Sequence, residues 1–261
     1  MTRLGFTMLL DAWRLALGTL TALPVRPPSQ VDRRRAGLAM SIAPLATLPL
    51  GLGVMVVALA GHRAQLPALV TALLALGAVI LGNRCFHLDG LSDTADGLTA
   101  SYDRERSLQV MRSGTSGPAG TVAIVLVVGL QAAGLAALLG GDGVGAAVLA
   151  GACVCVSRAA LVVCCARGVP SARPGGLGDT YTRTVPVTVA ALIWAVSAAI
   201  LAFLGWWAGL AWWRGLLAVA LALVVVLVVV RRATRRLGGV TGDVFGACTE
   251  LALATLLVAL A

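Results

Sequence analysis

Lysine is absent from this chain of 261 residues, so all 20 basic side chains are arginine. Charged residues of either sign make up only 12 % of the sequence, about half the share in a soluble domain. Hydrophobic residues make up 59 %, and the mean hydropathy is +0.95. One core cannot cover so much apolar surface. The composition therefore excludes an ordinary soluble protein and predicts an all-α integral membrane protein, with a single polytopic membrane domain over residues 1–261.

Paired cysteine motifs are also lacking. None of the six cysteines forms a Cys-x-x-Cys pair, and most lie in apolar segments, where cysteine behaves as a small hydrophobe. We therefore expect neither a disulfide framework nor a thiolate metal site. Asp11 and Arg14 interrupt the apolar run that a cleavable signal peptide requires, so none is expected.

Seven apolar stretches are long enough to be considered as transmembrane helices. They cover residues 37–60, 65–82, 119–140, 144–166, 187–210, 215–230 and 240–261. The first two contain Pro44, Pro49 and Pro67, which predict kinks. Before them, Leu9, Trp13 and Leu17 form a helical apolar stripe, which predicts an N-terminal interfacial helix within residues 1–23.

The arginines predict the orientation of these helices. Most of them lie in the N-terminal segment and in the connections after the second, fourth and sixth stretches. The positive-inside rule then places the N-terminus and these connections in the cytoplasm of a multi-pass protein of the cell membrane. Four tryptophans at the opposite end of the fifth and sixth stretches are typical of an interfacial belt: Trp206, Trp207, Trp212 and Trp213. The net charge of +9 fits this topology signal, anionic lipid or a phosphorylated substrate, and no nucleic-acid partner is expected.

The strongest chemical signal lies within residues 83–118, which we expect to form a cytoplasmic catalytic loop and helix. Asp89, Asp93 and Asp96 are four and then three residues apart, so a helix carries them on one face. Three neighbouring carboxylates repel one another, and a divalent cation removes that repulsion. Because Mg²⁺ prefers oxygen ligands, the spacing predicts metal-assisted chemistry on phosphate. Surface salt bridges to nearby arginines are the plain alternative.

Ionisable residues also lie within the apolar stretches. Asp243 and Glu250 are seven residues apart in the last stretch and share a helix face. Asp243 is predicted to add a carboxylate to the metal site, whereas Glu250 has Arg158 of the fourth stretch as a possible ion-pair partner. His87 is a weaker candidate, as a ligand or as a proton acceptor.

Several arginines are candidates for binding a phosphorylated substrate. Arg106 and Arg112 belong to a predicted amphipathic helix, and guanidinium groups bind phosphate oxygens in pairs. The Gly- and Ser-rich run 113–120 suits either an anion site at a helix N-terminus or an ordinary loop. Arg173 lies in a Gly-rich connection, 167–186, that either closes over substrate or merely joins two helices.

Four segments in order resemble the cobalamin synthase family, the adenosylcobinamide-GDP ribazoletransferases. The central one is His87-Leu-Asp-Gly-Leu-Ser-Asp-Thr-Ala-Asp-Gly97 followed by Asp103-Arg-Glu-Arg106. The others are Leu20-Thr-Ala-Leu-Pro-Val25, Ala172-Arg-Pro-Gly-Gly-Leu-Gly178 and Thr241-Gly-Asp-Val-Phe-Gly-Ala247. One departure is Ser113-Gly-Thr115, where many members of the family have an Asp-Ser-Arg run.

The resemblance implies a Mg²⁺-dependent membrane enzyme. Such an enzyme condenses adenosylcobinamide-GDP with α-ribazole or its 5′-phosphate, giving adenosylcobalamin or its phosphate, and GMP. Carried onto this sequence, the implied metal ligands and catalytic carboxylates are Asp89, Asp93 and Asp96, with Asp243 as a further candidate. His87, Arg106, Arg112, Arg158, Arg173 and Glu250 are the candidates for substrate binding.

Two other functions are compatible with parts of the pattern. Asp93-Thr-Ala-Asp-Gly-Leu-Thr-Ala100 matches the opening of the CDP-alcohol phosphotransferase motif, but Ser101 stands where that motif has arginine. A cation transporter would also place carboxylates in membrane helices, although no internal repeat is visible. The oligomeric state is left open by the sequence.

Overall fold

The computed structural model describes residues 3–141 and 143–261. Within these ranges the chain forms fourteen helices, and its only β-pairing consists of two isolated bridges. The helices are α1 (Arg3–Leu20), α2 (Arg33–Ser41), α3 (Ala43–Ala46), α4 (Leu48–Arg63), α5 (Ala68–Gly82), α6 (Phe86–Ala100), α7 (Arg104–Val110), α8 (Pro118–Leu139), α9 (Gly143–Ser157), α10 (Ala160–Cys164), α11 (Leu177–Tyr181), α12 (Val187–Trp207), α13 (Trp212–Leu237) and α14 (Gly242–Leu260). The predicted all-α class is confirmed over this part of the chain.

Five helical segments are long and apolar enough to cross a membrane, which makes the chain a multi-pass membrane protein. They are α8, the α9–α10 segment Gly143–Cys164, α12, α13 and α14. These segments correspond to the third to seventh predicted stretches. Only the sixth differs clearly from its prediction, because α13 continues through its arginine-rich end to Leu237.

The first two predicted stretches behave differently, so a count of about seven spans is not confirmed. The first stretch is divided into α2, α3 and α4, with interruptions at Ile42 and Thr47. Pro44 and Pro49 each lie in the first turn of the helix that follows the interruption. Proline has no N–H and clashes with the preceding turn, which explains why the helix restarts there. The resulting α4 has 16 residues, fewer than the roughly 20 that a span needs.

The second stretch ends in a sharp bend. The axes of α5 and α6 differ by 89°, so the pair forms either one broken span or a re-entrant loop. Arg84 and Cys85 in the turn have φ values of 60° and 59°, a region that costs energy for residues other than glycine. The end of α1 holds this turn, because Ala22 N donates to Gly82 O at 2.6 Å and Arg84 Nη2 donates to Gly18 O at 2.8 Å. The N-terminal helix therefore helps to set the direction of α6.

The N-terminal helix was predicted from an apolar stripe, and α1 confirms it as a helix. Its buried Asp11 accepts hydrogen bonds from Ser29 N at 2.8 Å and Ser29 Oγ at 2.6 Å. Arg35 Nε lies 3.1 Å from the same carboxylate, which ties α1 to the start of α2. Phe6 and Trp13 remain exposed on the other side of α1.

The last helix occupies the centre of the molecule. α14 packs against α6, α8, α9, α10 and α13, and every residue from Val244 to Glu250 is buried. The α9–α10 segment is enclosed to a similar degree, whereas α8 and α12 expose most of their apolar side chains. A polar residue on the first turns of α14 is therefore held in a fixed place.

Candidate functional site

Two glycines allow the backbones of α6 and α14 to touch. A Cβ atom at Gly90 would lie 2.6 Å from Asp243 O, and a Cβ atom at Gly246 would lie 2.8 Å from His87 O. Any larger residue at either position would push the two helices apart. The crossing places the first turn of α14 beside the aspartate-bearing face of α6.

This crossing gathers the four carboxylates that the sequence singled out. Asp93 is half-buried and lies within electrostatic range of Asp89, Asp96 and Asp243. Asp243 is also within range of Asp89, which is exposed at the surface. Thr241, the N-cap of α14, donates from its hydroxyl to Asp243 Oδ2 at 3.0 Å and so orients that carboxylate.

Asp96 has a distinct environment from the other three. Its Oδ2 accepts a hydrogen bond from Gly117 N at 2.7 Å, and its Oδ1 accepts one from Gly120 N at 2.8 Å. Both amides belong to the N-terminus of α8, where backbone N–H groups have no partner within the helix. The run 113–120 thus does end in an anion-binding helix terminus, and the anion is a side chain of the protein itself.

Arg173 faces the carboxylates from the connection between α10 and α12. Its Nη1 lies 3.7 Å from Asp243 Oδ2, and its Nη2 donates to Leu108 O at 2.8 Å. Burial lowers the pKa of the Arg173 guanidinium, and the negative charges of Asp243 and Asp93 oppose that effect. Arg112 lies within electrostatic range of Arg173.

Backbone pairing holds this connection in place beside α14. Ala172 N donates to Val240 O and Val240 N donates to Pro170 O, both at 2.9 Å. Arg104 Nη2 adds a hydrogen bond to Ala172 O at 3.1 Å. The segment that carries Arg173 is therefore docked against the turn that leads into Asp243.

Arg106 points to another part of the surface. Its Nη1 donates to Gln109 Oε1 at 3.1 Å, and its side chain lines an open cavity of about 530 Å³ between α7 and the start of α8. Asp96 and Thr115 line the same cavity. Asp96 therefore borders this cavity and also lies within electrostatic range of Asp93.

The remaining predicted residues, His87, Arg158 and Glu250, are all buried. Glu250 Oε2 accepts a hydrogen bond from Gln131 Nε2 at 2.8 Å, and its Oε1 lies 3.7 Å from His87 Nδ1. Arg158 Nη1 donates to Val154 O at 2.9 Å and to Ser157 Oγ at 2.8 Å. Arg158 is within electrostatic range of Glu250, but no direct ion pair joins the two among the described side chains.

The carboxylates of the site can bind a magnesium ion only if the substrate supplies the remaining ligands of that ion. In the described ranges, no three His, Cys, Asp or Glu side chains converge closely enough to hold a metal ion alone. Mg²⁺ is usually bound through one or two carboxylates, several waters and substrate phosphates. Asp89, Asp93 and Asp243 supply oxygen donors of that kind, so the donor set fits such a shared ion.

Sequence reasoning missed several residues that build this region. Gln131 is the partner of Glu250, and a polar residue in the otherwise apolar α8 was a usable signal for it. Gly246 was not singled out, because a glycine in an apolar helix has many explanations. The groups that bind Asp96 are backbone amides of glycine residues, so no side chain in the sequence points to them.

Comparison with known proteins agrees with these features. Residues 12–261 match the family described as Cobalamin-5-phosphate synthase. The adenosylcobinamide-GDP ribazoletransferase of Nocardioides sp. is 56 % identical over 250 residues, covering 95 % of this chain and 97 % of the relative. The proteins of that name from Frankia casuarinae and Pseudomonas aeruginosa are 38 % and 37 % identical, covering 96 % and 95 % of this chain and 94 % and 96 % of the relatives. No solved structure matches the chain. A match over residues 12–261, with the motif-bearing helices α6 and α14 inside it, means that the chain belongs to the cobalamin-5-phosphate synthase family.

Proposed function

We propose that this protein transfers cobinamide phosphate from adenosylcobinamide-GDP to α-ribazole or its 5′-phosphate, and that it releases GMP. The observation that carries the proposal is the crossing of α6 and α14, which gathers Asp89, Asp93 and Asp243 opposite Arg173. Family membership and the names of the relatives favour this reaction over a CDP-alcohol phosphotransferase or a cation transporter.

In the proposed reaction a ribose hydroxyl attacks the phosphorus atom that carries cobinamide. A new P–O bond joins that phosphate to the ribose, and the P–O bond to GMP breaks. The hydroxyl proton passes to a carboxylate of the site, which acts as a general base. Arg173 and Arg112 bind diphosphate oxygens and stabilise the charge that develops as GMP leaves.

Asp89, Asp93 and Asp243 are the residues proposed to hold Mg²⁺ together with the substrate diphosphate. When bound, the ion neutralises phosphate charge and stabilises the leaving group. Because these side chains do not form a complete metal site by themselves in the described ranges, we expect metal affinity to rise when the diphosphate substrate is present.

We further propose that the N-terminus and the site face the cytoplasm. The distribution of arginine supports this orientation. Nucleotide substrates such as adenosylcobinamide-GDP would then reach the site without crossing the membrane.

The proposal is tested by measuring GMP release. Purified protein in liposomes receives adenosylcobinamide-GDP, α-ribazole and Mg²⁺, with EDTA in a parallel sample. We expect GMP and a cobalamin product to appear together, and EDTA to stop both. Absence of both products from folded protein would contradict the proposed reaction, whereas EDTA-resistant turnover would contradict only the metal.

A further inference from the structure

A cavity of about 100 Å³ lies beside the crossing of α6 and α14. Its walls come from six helices of the bundle and include Met40, Phe86, His87, Leu161, Tyr181 and Phe245. We call this cavity the aromatic cleft. Most of its lining is apolar, and Met40, Leu161 and Phe245 are buried.

The size and lining of the aromatic cleft suit a flat apolar ring. An apolar cavity of roughly 150 Å³ is sufficient for benzene. The aromatic cleft is somewhat smaller and only partly enclosed, so it can hold the inner part of a fused two-ring system. Aromatic walls contribute stacking or edge-to-face contacts to such a ring.

The aromatic cleft shares a wall with the carboxylate site. Gly242 lines the cleft and directly precedes Asp243 in the first turn of α14. Gly178 also lines it, and a Cβ atom at Gly178 would lie 3.0 Å from Gly242 N. The connection that supplies Arg173 to the carboxylates thus supplies Gly178 and Tyr181 to the cleft. A ligand in the cleft is next to the reacting groups.

His87, which lines the cleft, carries a polar atom without a hydrogen-bond partner. His87 is 1 % exposed, and its Nδ1 makes no hydrogen bond, since Glu250 Oε1 at 3.7 Å is too distant. A buried polar atom without a partner costs free energy that a ligand can recover. A benzimidazole attached to ribose has one unsubstituted ring nitrogen, which can accept a hydrogen bond from a histidine N–H.

We propose that the aromatic cleft binds the benzimidazole base of the acceptor nucleoside and leaves its ribose at Asp243. This inference rests on the function proposed above and assigns one of the two substrates to a place. The corrinoid ring system is far too large for the cleft. Guanine carries several donors and acceptors that the apolar walls would leave unpaired, which disfavours the nucleotide half of the other substrate.

The first test measures binding of α-ribazole alone, by equilibrium dialysis with protein in nanodiscs and with EDTA present. Leu161→Phe adds volume inside the aromatic cleft, and Leu192→Phe makes the same change on the exposed surface of α12. We expect α-ribazole to bind without metal and without the corrinoid substrate. Leu161→Phe should weaken binding about tenfold or more, and Leu192→Phe should leave it unchanged.

The second test guards against a folding defect in Leu161→Phe. Met40→Ala enlarges the aromatic cleft, so the variant should gain affinity for a ribonucleoside with a three-ring base relative to α-ribazole. The KM for α-ribazole should change in both cleft variants, while the KM for adenosylcobinamide-GDP stays constant.

The two proposals fail in different ways. If α-ribazole does not bind alone, or binds equally to the native protein and to both cleft variants, the cleft assignment is wrong even when GMP release is normal. If wild-type protein releases no GMP but α-ribazole binding still depends on Leu161 and Met40, the cleft assignment stands and the proposed reaction fails.

Discussion

At the scale of single residues, the three aspartates on one face of α6 differ in what their carboxylates contact. They are Asp89, Asp93 and Asp96. Asp96 uses both carboxylate oxygens to hold the N-terminus of α8. Asp93 and Asp89 instead lie opposite Asp243 of another helix. The same residue type on one helix face is therefore expected to give two different mutational phenotypes.

Asp93→Asn should abolish GMP release while the protein remains folded in the membrane. The substitution removes a negative charge from the group of carboxylates proposed to bind metal, and changes few packing contacts. Glu105→Gln is the matched control, because it removes one charge from an exposed residue of α7. Single-turnover rates of GMP release would be measured in liposomes for Asp93→Asn and for Glu105→Gln. Near-native Mg²⁺-dependent rates for Asp93→Asn would contradict the metal-site assignment.

Asp96→Asn should chiefly lower stability. Asparagine has a single acceptor oxygen, so one of the two amides, Gly117 N or Gly120 N, would face an NH₂ group instead. A lost hydrogen bond to a charged group costs on the order of 2 kcal/mol. Thermal unfolding in detergent should show a lower midpoint for Asp96→Asn than for Asp93→Asn. Equal midpoints would argue against the capping role.

Glu250→Gln should destabilise the bundle although it keeps the side-chain shape. Arg158 is fully buried, and Glu250 is the carboxylate within its electrostatic range. Removing the carboxylate charge leaves the buried Arg158 charge without compensation, which destabilises the folded protein. The yield of monodisperse protein after extraction measures the effect. Adding Arg158→Met should restore part of that yield, and failure to do so would contradict charge compensation.

At the scale of helices, the site depends on how closely α6 and α14 approach. Their contact is made through Gly90 and Gly246, where added side-chain atoms would meet backbone atoms of the other helix. The bend between α5 and α6 gives α6 its direction, and the end of α1 holds that bend. Elements far apart in the sequence thus position the carboxylates of α6 relative to Asp243 of α14.

Gly90→Ala should reduce activity strongly, because its Cβ would lie 2.6 Å from Asp243 O and would displace the first turn of α14. Gly77→Ala in α5 is the matched control, since a Cβ there meets no atom within 4 Å. The control should be neutral or stabilising, by up to about 1 kcal/mol. GMP release and melting temperature would be measured for both. Equal activity of the two variants would show that the helix contact does not position Asp243.

At the scale of the whole molecule, one end of the bundle carries the site and the other carries the tryptophans. Three parts of the chain meet at the site: the start of α8, the start of α14 and the connection 165–186. Trp206, Trp207, Trp212 and Trp213 flank the link between α12 and α13 and are exposed. This separation fits opposite membrane interfaces.

Single cysteines would test the orientation. In a background with Cys85→Ser, which removes the exposed native thiol, Glu105→Cys places a thiol at the site end and Ala211→Cys places one at the tryptophan end. A membrane-impermeant thiol reagent added to intact cells should label the protein at position 211 only. Labelling at position 105 only would reverse the proposed orientation.

The sequence alone determined the class of this protein, because hydropathy, helical spacing and charge depend on local residue order. It located α8, α12 and α14 within a few residues and singled out Asp89, Asp93 and Asp243. It also carried the motifs that identify the family.

Only the tertiary structure decided which predicted groups meet. The carboxylate of Asp96 binds the N-terminus of α8, and Glu250 pairs with Gln131 rather than directly with Arg158. The aromatic cleft draws on helices from α1 to α14. Prolines accompany the interruptions of the first apolar stretch, and left-handed residues follow the second at a sharp bend, so a count of about seven spans is not confirmed. These outcomes follow from contacts between residues distant in the chain, where packing and hydrogen bonding of buried polar groups select one arrangement that local periodicity does not encode.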